Sequence, residues 1–415
     1  MNVTLVCQGF ECSSLNLQPW RRVYEISKRI SSQGFSVTII TDRPPEKLEE
    51  KIGKIRVVQF TGLTLAPFFK KKKLLSAILE TTPHIVVWYG SPFSSLYLKN
   101  FKSLRKPLIL DIDTDLYSLN HLSRIPLRIL LNPSNNLFHH LATALFSNYI
   151  TRITANSNVI DKIIVPNEHI KNKLYQRGVP QNKIAIVPST IDVTELGNYS
   201  NDTLETKQKL GMKNSDFIIS YFGAPTSIRG PDVAVLAMQQ VMRRDNNVKM
   251  LIFSRRALKS DSSGEEYNKT EEQFLTRLIR QLNLRDRVRV ISGYAERSEI
   301  KAYFHVSDVI LLPFRLVPSE PPLSIFEAMS AGKAVIATDL GGLSEIIGKD
   351  RGLLVQPGDA NELAQAILFL AKNPETLKAL GKNAQLFAAA LPNWEEVVQR
   401  FEKVLEGTVN QSLKN

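Results

Sequence analysis

Residues 318 to 347, PSEPPLSIFEAMSAGKAVIATDLGGLSEII, hold the densest set of groups able to do chemistry. Glu320 precedes a proline pair that fixes the entry to a helix starting near Leu323, and Glu327 lies within that helix. The first turn of a helix presents unpaired N–H groups and the positive end of its dipole, which suits a phosphate, and a buried carboxylate beside it accepts from sugar hydroxyls. The Gly341-Gly342 turn allows close backbone approach. A second set is YFGAPTSIRGPDVAVLAM, residues 221 to 238, where a loop opened by Gly223 leads to Arg229 and then to a helix, a phosphate-facing geometry with a cation added. The bland counterparts are an amphipathic helix between strands and a surface arginine. A third set, LILDIDTD, puts Asp111, Asp113 and Asp115 at a strand end. An acidic cluster there receives a hydroxyl proton, binds a divalent ion or caps the next helix.

These groups need elements to hold them, and the chain supplies short β-branched runs alternating with helical-period segments. In the first half the strands read VTLVC, SVTII, KIRVVQF (54 to 60), HIVVWY, PLILDI, KIIVP and KIAIVP, with helices at 19 to 33, 70 to 80 and 167 to 177. The second half repeats the pattern with FIISYFG, VKMLIF, VRVISG, VILLPF, AVIAT and GLLV, and is helical after residue 356 (359 to 372, 374 to 390, 393 to 406). Strands apolar on both faces, each followed by a helix, mean parallel sheets covered on two sides. The expected fold is α/β, two doubly wound Rossmann-like domains facing across a cleft, with the chemistry in the loops after strands. The polar stretch 189 to 210 is the joint. The expected domains are 1–195, 196–390 and a terminal helix, 391–415, that packs back on the first domain.

The segment from 318 to 347 resembles the donor-site signature of the retaining GT-B glycosyltransferases, glycosyltransferase family 4. Glu327-Ala328-Met329, Ala331-Gly332, Val335-Ile336, Gly341-Gly342 and Glu345 match its pattern. The resemblance implies that Glu327 binds the nucleotide ribose and that the N–H groups of Leu323, Ser324 and Ile325 hold the diphosphate of a nucleotide sugar. It implies retention at the anomeric carbon, without a metal and with no cofactor beyond the donor. Glu320 departs from the pattern, since six residues and not seven separate it from Glu327. Arg229-Gly230 replaces the family's Lys-Gly and makes Arg229 the candidate for neutralising the leaving diphosphate, with Gly223 beside it. Gly293 and Tyr294, in ISGYAERSEI, resemble the residues against the nucleobase. In GVPQNKIAIVPSTIDV, Ser189-Thr190 replaces Asn-Gly while Asp192 is kept, and the loop QGFECSSLNLQPWRR has only Gly9 where the family has a glycine pair. Asp113 falls where the family has a residue near the reacting sugar. His139-His140 lack partners at ligand spacing and read as structural.

Composition narrows the alternatives. The 415 residues are 43% hydrophobic and 22% charged, which excludes collagen-like, disordered and coiled-coil classes. Cys7 and Cys12 are too few for a disulfide framework and point to a reducing, cytoplasmic setting. The start, MNVTLVCQGF, reads as a buried strand and not a signal peptide, and no run of 18 apolar residues occurs. Net charge is +13, and residues 1 to 190 carry all of it, with 25 basic and 12 acidic side chains. That surplus implies an anionic partner for the first half: an anionic or lipid-linked glycan acceptor, or an anionic membrane surface met through Lys70, Lys71, Lys72 and Lys73 in APFFKKKKLLSAIL, a run that is otherwise a solvated helix face. A nucleic-acid binder is the reading from another class, disfavoured because no helix-turn-helix, RNP or finger pattern occurs. A sugar-nucleotide epimerase or hydrolase of the same fold is the alternative enzyme.

Overall fold

The computed structural model describes residues 1–11, 15, 18–43, 55–63, 66–114, 122, 125, 137–197, 203–255, 262–293, 296–317 and 319–414. The first sheet contains β1 (Asn2–Val6), β2 (Ser36–Thr41), β3 (Arg56–Gln59), β4 (Ile85–Gly90), β5 (Leu108–Ile112), β6 (Lys162–Val165) and β7 (Ile184–Ile186). Its order is β3-β2-β1-β4-β5-β6-β7 and all its pairings are parallel. Helices α1 (Trp20–Ser32), α2 (Ala66–Phe69), α3 (Lys71–Glu80), α4 (Ser95–Leu98), α5 (Leu137–Ala155) and α6 (Glu168–Gln176) connect these strands, and α7 (Val193–Gly197) and α8 (Thr203–Lys209) lead to the second sheet. That sheet has β8 (Phe217–Gly223), β9 (Val248–Arg255), β10 (Val288–Gly293), β11 (Val309–Leu312), β12 (Ala334–Thr338) and β13 (Gly352–Val355), in the order β10-β9-β8-β11-β12-β13. Its helices are α9 (Pro231–Met242), α10 (Ser262–Gln281), α11 (Arg297–Val306), α12 (Leu323–Ser330), α13 (Leu343–Ile347), α14 (Ala360–Lys372) and α15 (Pro374–Ala389).

The strands carry apolar residues on both faces because both faces are covered. On one side of the first sheet, Leu5, Val87 and Ile109 pack on Val23 and Ile26 of α1; on the other, Val86, Trp88 and Leu110 pack on Leu74 and Ile78 of α3. The long helix α16 (Trp394–Ser412) returns from the second domain to the first, where Trp394, Val397, Phe401 and Leu405 join the α1 side of the core. Asn393 caps it by accepting from the Glu396 N–H. Leu405 and Thr408 are buried, so the helix runs past residue 406 to Ser412.

One segment differs from expectation. The basic run 66 to 79 is not a single amphipathic helix but two, α2 and α3, parted at Lys70, whose φ of −123° is not helical. Leu74, Leu75 and Ile78 turn into the core, while Phe68 and Phe69 face outward.

Candidate active site

In doubly wound sheets ligands bind beyond the carboxyl ends of the strands, where the strand order reverses. In the second sheet that point lies between β8 and β11, so the loops after them, 223–230 and 313–317 with 319–322, are the expected donor wall. After β8 the chain makes a tight turn, Ser227–Arg229, and α9 begins at Pro231. A Cβ on Gly223 would stand 3.0 Å from the Tyr221 hydroxyl, a tight contact, and 3.5 Å from Arg229 Nη1, so the missing side chain makes room for the phenol beside the guanidinium. Arg229 is half-buried, and its guanidinium carbon sits 5.9 Å from the Phe314 ring centroid. Burial pushes the Tyr221 phenol well up, with Arg229 opposing the shift, and its hydroxyl donates to the Ala224 carbonyl at 2.6 Å.

A buried ion pair that local spacing does not reveal fixes the Arg229 turn. Arg315, just past β11, grips Asp232 through both guanidinium nitrogens at 2.7 and 2.8 Å. The same Nη1 donates to the Ser227 carbonyl at 2.5 Å, and the Arg315 and Leu316 N–H groups donate to the Ile228 carbonyl. Ser227 in turn donates to Glu271 of α10 at 2.6 Å. The one visible signal was an arginine following an apolar strand, VILLPF, and an aspartate in the first turn of α9.

Glu320 is 1% exposed and lies between the two walls. Its Oε1 accepts from the Gly342 N–H at 3.1 Å, and its Oε2 accepts at 3.0 Å from Asn167 Nδ2, which belongs to the first domain. At Gly341, whose φ of +57° already disfavours a side chain, a Cβ would fall 1.8 Å from Glu320 Oε1 and displace the carboxylate. Thus the glycine pair cradles the carboxylate of Glu320, a residue separate from Glu327. Asn167 divides its amide between two tasks, because its Oδ1 caps α6 by accepting from the Ile170 N–H at 2.9 Å. Glu327 is buried within α12. Of the three amides expected at the diphosphate, that of Ile325 already bonds the Pro322 carbonyl at 3.0 Å, which narrows the expectation to Leu323 and Ser324. Gly293 ends β10 with φ +119° and open space where a side chain would be, and Gly223 pairs in register with Ser254 of the intervening β9. Tyr294 and Asp115 lie outside the described residues.

On the first domain, Asp113 stands one residue beyond β5. Its Oδ2 accepts from the Ser319 hydroxyl at 2.6 Å, its Oδ1 from Thr114, and its carbonyl from the Glu320 N–H at 2.7 Å. The candidates Asp113 and Glu320 therefore meet across the cleft. Behind them Arg22 is buried against Asp111, 3.4 Å from Oδ2, and donates to the Pro188 carbonyl at 2.8 Å and to Ser189 at 3.5 Å. Burial pushes Asp111 up to about 6, Arg22 opposing and Asp113 adding to the shift. Asp113 is raised by burial too, against the hydrogen bonds from Ser319 and Thr114. Cys7 is a free, buried thiol pushed well up by burial and by the nearby carboxylates. Among the described residues no group of three or more His, Cys, Asp or Glu is arranged to hold a metal. The site thus offers a cation and helix amides on one wall and a carboxylate on the other, the parts needed to stabilise a leaving diphosphate and to take a hydroxyl proton.

Comparison with known proteins places both halves of the chain. The model of glycosyltransferase family 4 matches residues 20–195, and that of glycosyl transferases group 1 matches residues 202–387. The chain is 22% identical over 247 residues to the lipopolysaccharide 1,2-N-acetylglucosaminetransferase of Salmonella typhimurium, covering 59% of this chain and 62% of that one, less than two thirds of its length. It is 24% identical over 371 residues to an uncharacterized glycosyltransferase of Methanocaldococcus jannaschii, covering 86% of this chain and 93% of that one. Among solved structures, Anabaena HepE, crystallised with UDP-glucose, superposes with a TM-score of 0.73 at 18% identity, over 98% of this chain and 100% of that one. With the two family models matched in order, one on each of two facing doubly wound domains, the chain belongs to the family 4, group 1 glycosyltransferases of GT-B fold.

Proposed function

We propose that the protein transfers a sugar from a nucleotide-diphosphate sugar, bound on the second domain, to a hydroxyl of an acceptor bound on the first, with retention at the anomeric carbon. The observation that carries this reading is the Arg229 turn, clamped by Arg315 and Asp232 beside the α12 N-terminus at the strand-order reversal of the second sheet. As the bond from the anomeric carbon to the diphosphate oxygen breaks, Arg229 and the first amides of α12 hold the charge that grows on the leaving group. The acceptor oxygen bonds to the same carbon and its proton passes to Asp113, held in orientation by Ser319. Glu320 accepts from hydroxyls of the sugar, Glu327 from the ribose, and Gly293 with Tyr294 flanks the base. UDP is the nucleotide favoured by likeness to the Anabaena protein, whose structures hold UDP and UDP-glucose.

We further propose a lipid- or membrane-linked acceptor reached from the cytoplasmic face. No helix among the described residues is long and apolar enough to cross a membrane. The basic surplus of the first half then serves the membrane that carries the acceptor. Labelled UDP-, GDP- and ADP-sugars, incubated with the protein alone and with lipid extract, test the reading. Label moving to lipid only when extract is present supports a transferase. Conversion of the sugar nucleotide by the protein alone supports the epimerase or hydrolase instead, and salt-sensitive retention of nucleic acid without any sugar turnover supports the nucleic-acid reading.

A further inference from the structure

Part of the basic surplus gathers on one face of the first domain, and apolar side chains stand among the charges. In α2, Phe69 is 81% exposed and Phe68 is more than half exposed; in α5, Leu145, Phe146 and Tyr149 are each more than half exposed. The last three share one stripe at i, i+1 and i+4. They belong to one side of the sheet. The Phe68 ring packs edge-on against Tyr97 of α4 at 5.3 Å, and α4 is joined to α5 by the Thr154 to Ser95 hydroxyl bond at 2.6 Å. Around them lie Lys70, Lys72 and Lys73, then Lys102, Arg105 and Lys106 in the turn that packs beside α3, and Arg152 in the last turn of α5, all exposed. None of these cations is paired with a described carboxylate. A face with both features suits a surface that is anionic outside and apolar just beneath, which a bilayer is and a nucleic-acid backbone is not.

The inner edge of the same helix reaches the active site. Leu141 and Ala144 of α5, with Leu122 and Ile125, pack against Leu316 and Ile228 of the second domain. Ile228 lies within the Arg229 turn, and the Leu316 N–H donates to its carbonyl. Leu145 and Phe146 follow at once, so the exposed apolar stripe begins at the mouth of the cleft.

We propose that Phe68, Phe69, Leu145, Phe146 and Tyr149, with the cations around them, dock the first domain on an anionic phospholipid bilayer, and that α5 leads from the bilayer to the cleft. The docking stands by itself; the route for an acceptor rests on the transferase reading. Co-sedimentation with phosphatidylcholine vesicles, with and without phosphatidylglycerol, tests it on the full chain. The protein should pellet only with phosphatidylglycerol and be released by salt. Each of Lys70, Lys72 and Lys73 changed to Ser should weaken binding by about fivefold, as expected for about 1 kcal/mol per cation. Phe69→Glu with Phe146→Glu should reduce it more than tenfold while the melting-temperature rise caused by the nucleotide stays that of the unchanged protein. Binding that ignores lipid charge, or that survives both sets of changes, overturns the proposal, as does binding to duplex DNA without binding to vesicles. Docking with no transfer to lipid would leave the surface standing and remove the route.

Discussion

Asn167 and Asp111 show how much of the site rests on residues that touch no expected substrate atom. Asn167→Asp keeps a good helix cap but turns the donor facing Glu320 into a carboxylate oxygen. Losing a hydrogen bond to a charged group costs about 1.5–3 kcal/mol, so turnover should fall roughly ten- to a hundredfold, with a small change in melting temperature. Because two facing carboxylates share a proton, the variant should recover activity as the pH is lowered through the carboxylate range. A pH profile of kcat/KM parallel to that of the unchanged protein would contradict the role. For Asp111 the folded value, about 6, lies above the ordinary 3.8. The native state therefore holds this proton more tightly than the unfolded chain. The stability it contributes is full below about pH 4 and is lost as the pH rises through about 6. Asp111→Asn, which cannot ionise, should flatten that part of a melting-temperature profile, whereas an unchanged slope would assign the titration elsewhere.

At the scale of elements, the strands and the loops that follow them were legible and the ties between them were not. Runs such as VILLPF and AVIAT are apolar on both faces because both are buried, and that pattern is local. Arg315 and Asp232 are 83 residues apart and Asn167 and Glu320 are 153 apart, so no spacing rule connects them. The one-residue-short interval before Glu327 likewise takes its meaning only from Gly341, Gly342 and Asn167 folding around Glu320. The break at Lys70 was hidden as well, since four lysines in a row have no interruption in helix propensity and only core packing of Leu74 and Ile78 sets the register of α3. The Arg315 clamp makes a testable claim about an element. Arg315→Met strands Asp232 without its partner and should cost about 3–5 kcal/mol. Replacing both, Arg315→Met with Asp232→Leu, should restore much of the stability yet leave turnover low, because the Arg229 turn has lost its anchor. Full turnover in the double variant would show the pair to be structural only.

Among the described residues the two domains are tied at the cleft by Asn167, Glu320, Asp113 and Ser319, beside it by the packing of α5 on Leu316 and Ile228, and behind it by α16. Phe401 is fully buried in the first domain although its helix follows the second, so Phe401→Ala should destabilise by about 3–5 kcal/mol and lower the melting temperature. The exposed bridge from Arg29 to Glu395 beside it should contribute less than about 1 kcal/mol. Charge follows the same division, since residues 1 to 190 carry the whole surplus while Arg315 and Asp232 of the second domain are matched to each other. The central claim is that the Arg229 turn and the α12 N-terminus bind the diphosphate of a nucleotide sugar. Isothermal titration of UDP, GDP and ADP into the unchanged protein and Arg229→Ala tests it most directly. One nucleotide should bind the unchanged protein, and Arg229→Ala should bind it at least about tenfold more weakly, as the loss of a charge-assisted contact requires. Equal affinity in the two proteins, or no nucleotide bound by either, would contradict it.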